Sequence, residues 1–299
     1  MQKKVKLSII GAGKVGTTIA ILAARTGKYE VYLASRSQQA PKETQGEKLS
    51  FTSIDKALIE AEIILLSIVD DAIASFAKAL ANKKLIQSGV VVAHCSGALS
   101  SDSLNSLQKQ SKLFVASMHP LQTFPNIASS LKRIEGTYCY YEGDPQAKVA
   151  IAQLAKDLGM HPIEIEKEAK SLYHASAVVA CNYLCALMDG ALDLGEAAGI
   201  DRQTMWRSLD PLITATLDNI RTTSPANALT GPIARGDKET IKRHLKAIEK
   251  FTDKSSDLKM LYSTMGLQSS HLALKKGSID KSDKSMLDEI LKDSIVLGR

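Results

Sequence analysis

Short runs of aliphatic and β-branched residues recur through the first 120 positions, and stretches with a helical pattern separate most of them. Such runs are typical of strands that are buried on both faces. They lie at residues 5–10, 30–34, 49–52, 62–68, 89–94 and 113–118. Strands that alternate with helices form parallel sheets covered by helices on both sides. We therefore predict an α/β domain with a doubly wound parallel sheet.

The pattern changes after residue 165. Two further strands, at 136–141 and 161–165, flank a helix predicted at 145–159, and long helical segments follow. We predict an α/β domain at residues 1–165 and an all-helical domain at 166–299. In the helix predicted from about 168 to 199, residues 172–187 are apolar on nearly every face. This helix should be central and buried.

A glycine-rich turn follows the first predicted strand and opens the first helix. Gly11, Gly13 and Gly16 have the spacing G-x-G-x-x-G, in which the glycines permit a tight turn, approach of a pyrophosphate and close packing of helix on strand. Free N–H groups at the helix N-terminus attract phosphate. We predict a dinucleotide site; the alternative is a glycine turn in an empty domain. Its residues are Gly11, Ala12, Gly13, Lys14, Val15 and Gly16, with Ser67, Ile68 and Val69 after the fourth strand.

The end of the second strand discriminates between NAD and NADP. Proteins that bind NAD usually place a carboxylate there, about 20 residues after the glycine motif, to bond the ribose 2′-hydroxyl. This chain has Ser35, Arg36 and Ser37 and no acidic residue nearby. Arg36 can pair bidentately with a 2′-phosphate, and serine hydroxyls can donate to it. We predict NADP as the cofactor; an ordinary solvated arginine is the alternative for Arg36.

Composition excludes several classes of protein. The chain has 44% hydrophobic and 23% charged residues, as ordinary globular proteins have. The net charge of +6 is modest, the lysines are dispersed and only 5% of residues are aromatic, so we expect a small anionic ligand and no nucleic acid. No signal peptide and no uninterrupted apolar segment of about 18 residues is evident, so we expect no membrane span. The four cysteines are predicted to be buried thiols of a cytoplasmic protein.

Polar residues gather where the predicted strands end, which is the edge at which doubly wound sheets bind ligands. Hydride transfer with a nicotinamide cofactor needs a proton donor near the developing charge, and histidine suits this role because its pKa is about 6.5. His119 and His174 are the two candidates; for each, a structural histidine bonded to backbone is the alternative. The residues at the strand ends are Gly11, Ser35, Ser67, Ser96 and His119.

His174 and Asn182 interrupt the apolar helix, and buried polar groups need partners. Eight residues apart, they are separated by about 80° around the helix axis and about 12 Å along it, so they could line different parts of one ligand cleft. A metal site formed by His174, Cys181 and Cys185 is a weaker hypothesis, because one rigid helix rarely closes a tetrahedron. We expect no metal.

A second glycine-flanked segment, at residues 230–237, predicts a flexible turn between helices. We expect this turn to close over the substrate, with Thr230 in the site and Arg235 holding an anionic group. For Asp237, capping of the next helix is the favoured interpretation.

Five stretches carry a resemblance to a known class of protein. The chain resembles the 6-phosphogluconate dehydrogenase-like superfamily, and more closely the family that pairs a Rossmann-like domain with a helical domain of unknown function. The resemblance implies NADP binding, a homodimer formed through the helical domain, and a reductase or dehydrogenase site between the domains. The stretches are IIGAGKVG, HCSGALSSDSL, SMHPLQTF, SLYHASAVVACNYL and ALTGPIARGDKETIKRHL.

Two more specific similarities, to prephenate dehydrogenases and to sugar-acid dehydrogenases, concern the catalytic roles of individual residues. The sequence SMHP is similar to a signature of prephenate dehydrogenases, which implies that His119 bonds a substrate hydroxyl and that Ser96 assists it. The residues after Pro120 differ, so prephenate itself is not implied. Sugar-acid dehydrogenases of the superfamily use a lysine followed four residues later by asparagine. Here Lys170 is followed by His174, so we interpret Lys170 as a surface or hinge charge.

These observations predict an NADP-dependent oxidoreductase that acts on a small anionic carbonyl, imine or hydroxyl compound. Its predicted catalytic residues are Ser96, His119, His174 and Asn182. The alternative is a sensor or regulatory protein that binds NADP without turnover, because the lysine–asparagine pair is incomplete. A deazaflavin-linked reductase is a further alternative, since related Rossmann domains reduce such cofactors.

Overall fold

The computed structural model describes residues 3–41, 43–251 and 254–296. Within these residues, eight strands form one sheet: β1 (Val5–Ile10), β2 (Tyr29–Ala34), β3 (Ser50–Phe51), β4 (Ile63–Leu66), β5 (Val91–His94), β6 (Phe114–Pro120), β7 (Tyr138–Gly143) and β8 (His161–Glu164). The helices between them are α1 (Lys14–Arg25), α2 (Ile54–Glu60), α3 (Asp70–Lys83), α4 (Asn105–Ser111), α5 (Ile127–Arg133) and α6 (Pro145–Asp157). All eight predicted strands are confirmed.

The sheet has the order β3-β2-β1-β4-β5-β6-β7-β8, which confirms the doubly wound α/β fold. Every neighbouring pair is parallel except β6 and β7, which run antiparallel. The connection between these two strands holds only the seven-residue α5, which is about 10 Å long. A seven-residue strand spans about 23 Å, so this connection does not return the chain to the start of β6. β7 therefore begins at the end of the sheet where β6 finishes, and it runs in the opposite direction.

The alternation of side chains along the strands divides the core around the sheet into two layers. Leu7 and Ile9 of β1 pack in one layer, with the apolar faces of α1 and α6. Ile10, one position on, packs in the other layer, with residues of α2 and α3. Successive side chains of a strand point to opposite faces, and here both faces are covered. Both faces of the sheet are therefore buried, and a ligand can reach it at the ends of its strands.

The contacts divide the chain after Val178 into two compact units. The first unit ends with α7 (Lys170–Ala177), and a five-residue π-helical stretch, Val178–Asn182, follows. The second unit is helical in its described part, as predicted: α8 (Tyr183–Ala197), α9 (Arg202–Thr222), α10 (Pro225–Ala228), α11 (Gly231–Ala234), α12 (Lys238–Phe251), α13 (Ser255–Lys276) and α14 (Lys281–Val296). The predicted domain boundary at residue 165 stays a prediction.

The apolar helix of residues 168–199 is not buried, so that prediction is wrong. In α8 only Gly190 and Gly195 are buried, and Val179 and Tyr183 are 60% and 57% exposed. Composition reveals that such a helix needs an apolar partner, but not that its own chain provides one. By length and composition, residues 167–197 form the one described helical segment that could cross a membrane, which is weak evidence because core helices meet the same criterion.

Two of the four cysteines also differ from the prediction. Cys139 is buried on β7 and Cys95 is half-buried after β5, but Cys181 and Cys185 are exposed on the apolar helix. As for the rest of this helix, apolar composition predicted burial, but the described part of the chain does not cover these two residues. A cytoplasmic location stays a prediction.

Candidate functional site

The glycine turn between β1 and α1 has the close contacts that its spacing predicts. A Cβ on Gly11, whose φ is +120°, would lie 2.0 Å from the backbone oxygen of Ser67. A Cβ on Gly16 would lie 2.0 Å from the oxygen of Gly11. No side chain fits at either position. A Cβ on Gly13 would have no neighbour within 4 Å, so the backbone there is open to a ligand.

The first turn of α1 suits an anion. Its N-cap, Gly13, has no side chain to occupy the free N–H groups, and no acidic residue lies in the first turn. Lys14 is exposed and Val15 is half-buried beside them. Helix N-termini of this kind bind phosphate through backbone N–H groups and the helix dipole.

The neighbouring strand ends complete the predicted cofactor site. Ser67 follows β4, and its N–H donates to the Ile10 oxygen at 2.8 Å, which holds the 67–69 segment beside the glycine turn. Ile68 is half-buried, and Val69 is 74% exposed. Because β4 is the direct neighbour of β1 in the sheet, these residues and the glycines lie at one edge.

The end of β2 has the character of a phosphate site. Arg36 is exposed, and the Oγ atoms of Ser35 and Ser37 lie 3.0 Å apart on either side of it. No carboxylate occurs between residues 35 and 42 of the sequence. The three side chains that we predict for the 2′-phosphate are therefore at least partly exposed and have no acidic residue beside them in this stretch of the sequence.

Two predicted histidines meet at the carboxyl end of β5 and β6. His119 lies near the end of β6 and His174 on α7, and their ring centroids are 5.7 Å apart in an edge-to-face arrangement. Both rings border Gly97, since a Cβ there would lie 2.5 Å from His174 Nδ1 and 2.8 Å from His119 Nε2. His174 Nδ1 is buried and has no hydrogen-bond partner among the described residues. A buried polar atom of this kind is a candidate for ligand contact.

Tyr173, which the sequence analysis missed, completes the cluster. Its hydroxyl lies 2.9 Å from His119 Nδ1, and its ring lies edge-on to the same imidazole. Burial, together with the Lys170 ammonium and His174, lowers the pKa of His119 to about 4. His119 is therefore neutral at physiological pH and can donate or accept a hydrogen bond without a charge.

Lys170 is not a surface charge, and that interpretation is wrong. The side chain is 1% exposed, and Nζ donates to the Ser96 backbone oxygen at 3.0 Å and to Ser117 Oγ. Burial lowers the pKa of Lys170 to about 8, and the carboxylate of Glu142 opposes this effect. A pKa near 8 keeps most of the positive charge of Lys170 at pH 7, and this charge acts on His119, whose pKa it lowers. Residues 170, 173 and 174 share one helix face, a spacing that could have revealed them as a group.

Ser96 is adjacent to this cluster, but its hydroxyl is fully used. Oγ donates to Asp70 Oδ2 at 2.7 Å and accepts from the N–H groups of Ala98 and Leu99 at 3.2 and 3.0 Å. The buried His94 fixes the same loop, since its Nδ1 accepts from the Ser96 N–H at 3.2 Å. Ser96 holds the segment that carries Gly97 against the histidines.

The remaining predicted site residues lie in the second unit. Asn182 was expected to be a buried polar group, but it is exposed in the π-helical stretch. Thr230 and Arg235 are exposed at the two ends of α11, so the segment contains a short helix where a plain turn was predicted. Asp237 accepts from the Thr240 N–H at 3.0 Å, which confirms it as a cap. The roles of Asn182, Thr230 and Arg235 stay predictions.

Metal ligands do not cluster in the part of the chain that the structure describes. No group of three or more histidine, cysteine, aspartate or glutamate side chains there could hold an ion. The site that geometry offers therefore consists of the glycine turn, the Arg36 segment and the cluster around Gly97.

Comparisons with solved structures show the same fold. A Bacteroides fragilis protein with a provisional assignment as an NADP oxidoreductase has a TM-score of 0.70 and 21% identity, over 90% of this chain and 98% of that one. A Thermotoga maritima protein has a TM-score of 0.67 and 23% identity, over 90% and 99%. Pyrroline carboxylate reductase from Plasmodium falciparum, with NADP bound, has a TM-score of 0.54 and 14% identity, over 100% of both chains. At these identities the likeness concerns the fold.

Sequence comparison agrees with the two-part organisation. No curated protein matches the chain. A model of the Rossmann-like domain matches residues 1–120, and a model of the domain of unknown function DUF2520 matches residues 137–269. The chain therefore combines an N-terminal region that matches the Rossmann-like domain with a C-terminal region that matches DUF2520.

Proposed function

We propose that this protein is an NADP-dependent oxidoreductase that reduces a small, anionic carbonyl or imine compound or oxidises the corresponding hydroxyl or amine. The observation that carries the proposal is the combination of an open glycine turn with the His119–His174 pair in the same unit, both at carboxyl ends of sheet strands. Sheets of this type bind ligands at that edge. The fold is shared with pyrroline carboxylate reductase, whose named substrate is a cyclic imine.

The residues present fit the proposed cofactor. The turn of residues 11–16 would hold the pyrophosphate on backbone N–H groups, and Arg36 would pair with the 2′-phosphate. Bound there, the nicotinamide would supply or accept a hydride. Side chains of this protein would bind the substrate and stabilise the charge that develops on it.

His119 and His174 would contact the reacting group of the substrate. A hydrogen-bond donor close to the atom that gains negative charge stabilises the transition state, and a water-poor site strengthens this effect. The ammonium of Lys170 lies behind the cluster and favours negative charge there. This positive field is consistent with an anionic substrate.

Cofactor choice provides the first test. Titration calorimetry with NADPH and NADH should show tighter binding of NADPH to the wild type, and R36A should lose at least tenfold in NADPH affinity while NADH binding changes little. R133A, which removes an exposed arginine on α5, is the matched control and should bind both as the wild type does. Equal affinities for the two cofactors would refute the NADP assignment.

Turnover provides the second test. Oxidation of NADPH is followed by absorbance with a panel of short 2-oxo acids and cyclic imines, and H119Q should reduce any activity found at least 100-fold. A specific observation favours a sensor as the second candidate: the Ser96 hydroxyl and the Lys170 ammonium are both engaged within the protein. Tight NADPH binding without turnover of any compound would support that candidate.

We also propose a homodimer formed through the helical domain. Helix α9 contains no buried residue, and Leu212 and Trp206 are 63% and 44% exposed on it. Light scattering should give twice the chain mass of 32.3 kDa, and L212E should shift the protein towards the monomer. V149E, at an apolar residue of α6 that is 73% exposed, is the control and should leave the mass unchanged.

A further inference from the structure

Tyr173 is held between two side chains of neighbouring strands. Its hydroxyl lies 2.9 Å from His119 Nδ1. Its ring packs on Tyr140, with centroids 4.2 Å apart and an angle of 36° between the planes. His119 and Tyr140 are direct partners across β6 and β7. The position of the phenol is therefore fixed by the sheet as well as by α7.

The direction of the Tyr173–His119 hydrogen bond follows from the chemistry of the two groups. Burial raises the pKa of Tyr173, so the phenol keeps its proton. No other acceptor for this proton lies within hydrogen-bond distance among the residues that the structure describes. A neutral imidazole has one nitrogen that accepts and one that donates. These properties favour the arrangement in which the phenol donates to Nδ1 and the hydrogen of His119 is on Nε2.

The surroundings of His119 keep this imidazole neutral. Burial, Lys170, His174 and His94 disfavour its protonation, and Asp70 favours it, with burial the largest of these effects. Asp70 already accepts a hydrogen bond from Ser96 Oγ at 2.7 Å. His119 is thus a neutral imidazole at physiological pH.

We propose that Tyr173 is a positioning residue that holds His119 in the Nε2–H tautomer, and that this N–H donates to the oxygen of a carbonyl substrate. The second part rests on the proposed oxidoreductase function and narrows its substrate class. A carbonyl oxygen accepts from N–H and gains negative charge during reduction, which the donor stabilises. A protonated imine carries its own N–H and a positive charge, so it would meet a second donor and the nearby Lys170. The site therefore suits a carbonyl compound, such as a 2-oxo acid, better than an iminium ion.

Nitrogen NMR tests the tautomer without any substrate. In full-length protein with ¹⁵N-labelled histidine at pH 7, two-bond correlations identify which ring nitrogen carries the hydrogen, and H119Q assigns the signals. We expect His119 to be protonated at Nε2 and unprotonated at Nδ1, with or without NADPH. A wild-type protein with the hydrogen mainly on Nδ1 would overturn the proposal, whatever its activity.

Two matched variants test the part played by Tyr173. Y173F removes the hydroxyl and keeps the ring, and it should raise the fraction of the Nδ1–H tautomer about fivefold, the factor that one net hydrogen bond contributes. Y140F removes the hydroxyl of the stacked neighbour and should leave the tautomer unchanged. Equal tautomer ratios in Y173F and the wild type would remove Tyr173 from this role. If Y173F does not fold, the wild-type spectrum still decides the tautomer.

Steady-state kinetics test the substrate class. With NADPH, kcat/KM should be at least tenfold higher for short 2-oxo acids than for cyclic imines of the same carbon skeleton, and Y173F should lower kcat more than it changes KM. Faster turnover of the imines would overturn the carbonyl assignment. If neither class is turned over while the Nε2–H tautomer is observed, the proposed function fails and the tautomer assignment stands.

Discussion

Gly97 leaves no room for a side chain between the two histidine rings. In G97A the added Cβ would lie 2.5 Å from His174 Nδ1 and 2.8 Å from His119 Nε2. An ordinary contact of carbon and nitrogen is about 3.5 Å, so the rings must withdraw by about 1 Å and about 0.7 Å. His119 is also bonded to Tyr173, so its ring cannot move without weakening that bond.

The magnitude of the effect follows from this displacement. Overpacking of a well-filled site costs about 1–3 kcal/mol, and for a chain of this size the melting temperature should fall by about 5 °C. A displacement of about 1 Å in a catalytic group costs about 100-fold in rate. NADPH affinity should change little, because the nearest neighbours of the added Cβ belong to the two histidines and not to the glycine turn or Arg36. We therefore expect a variant that binds the cofactor normally, melts earlier and loses turnover.

Four measurements on one preparation test this expectation: thermal unfolding, NADPH calorimetry, the rate of NADPH turnover and the ¹⁵N spectrum of the histidines. G266A is the control, because its Cβ would lie 2.8 Å from the side chain of Leu291 and neither histidine is among its nearest neighbours. It should leave the histidine spectrum and turnover unchanged. If G97A has the wild-type melting temperature and unchanged His119 and His174 signals, the packing argument is refuted.

Three further predictions concern buried charge and the glycine turn. Because the folded pKa of Lys170 lies below its unfolded value, the unfolded chain binds more protons between about pH 8 and 10.5, so stability should rise with pH there by up to about 3 kcal/mol. K170M should lack this rise in urea unfolding; parallel curves would refute it. His119, with a folded pKa of about 4, should stay unprotonated in an NMR titration down to about pH 5, and the wild type should lose more stability than H119Q as the pH falls from 6.5 to 4. A normal titration midpoint near 6.5 would contradict its burial. G11A should lower the free energy of unfolding by at least about 3 kcal/mol, since its Cβ meets the Ser67 oxygen at 2.0 Å. G27A, which has open space at a φ of +69°, should lower it by about 1 kcal/mol. Similar losses in the two variants would argue against the close contact.

Features with a local cause were predictable from the sequence. The central strands β1, β4, β5 and β6 follow from runs of apolar residues, and the turn at Gly11 follows from a backbone that only glycine tolerates. The cofactor-site hypothesis at Arg36 depends on the type of residue that follows a strand. Each of these signals is contained in a few consecutive residues, so no knowledge of the tertiary structure is needed.

The tertiary structure decided which of these residues meet. Tyr173 and His119 are 54 residues apart in sequence, and the hydrogen bond between them depends on where α7 packs on the end of the sheet. The burial of Lys170 depends on the same packing, and the missing asparagine four residues later, on which its interpretation as a surface or hinge charge rested, carries no information about that packing. The apolar helix gave the opposite error, because composition measures a need for apolar contact and not its source. Local patterns thus determine the elements of this protein, whereas the contacts between distant elements determine the chemical environment of each side chain in its site.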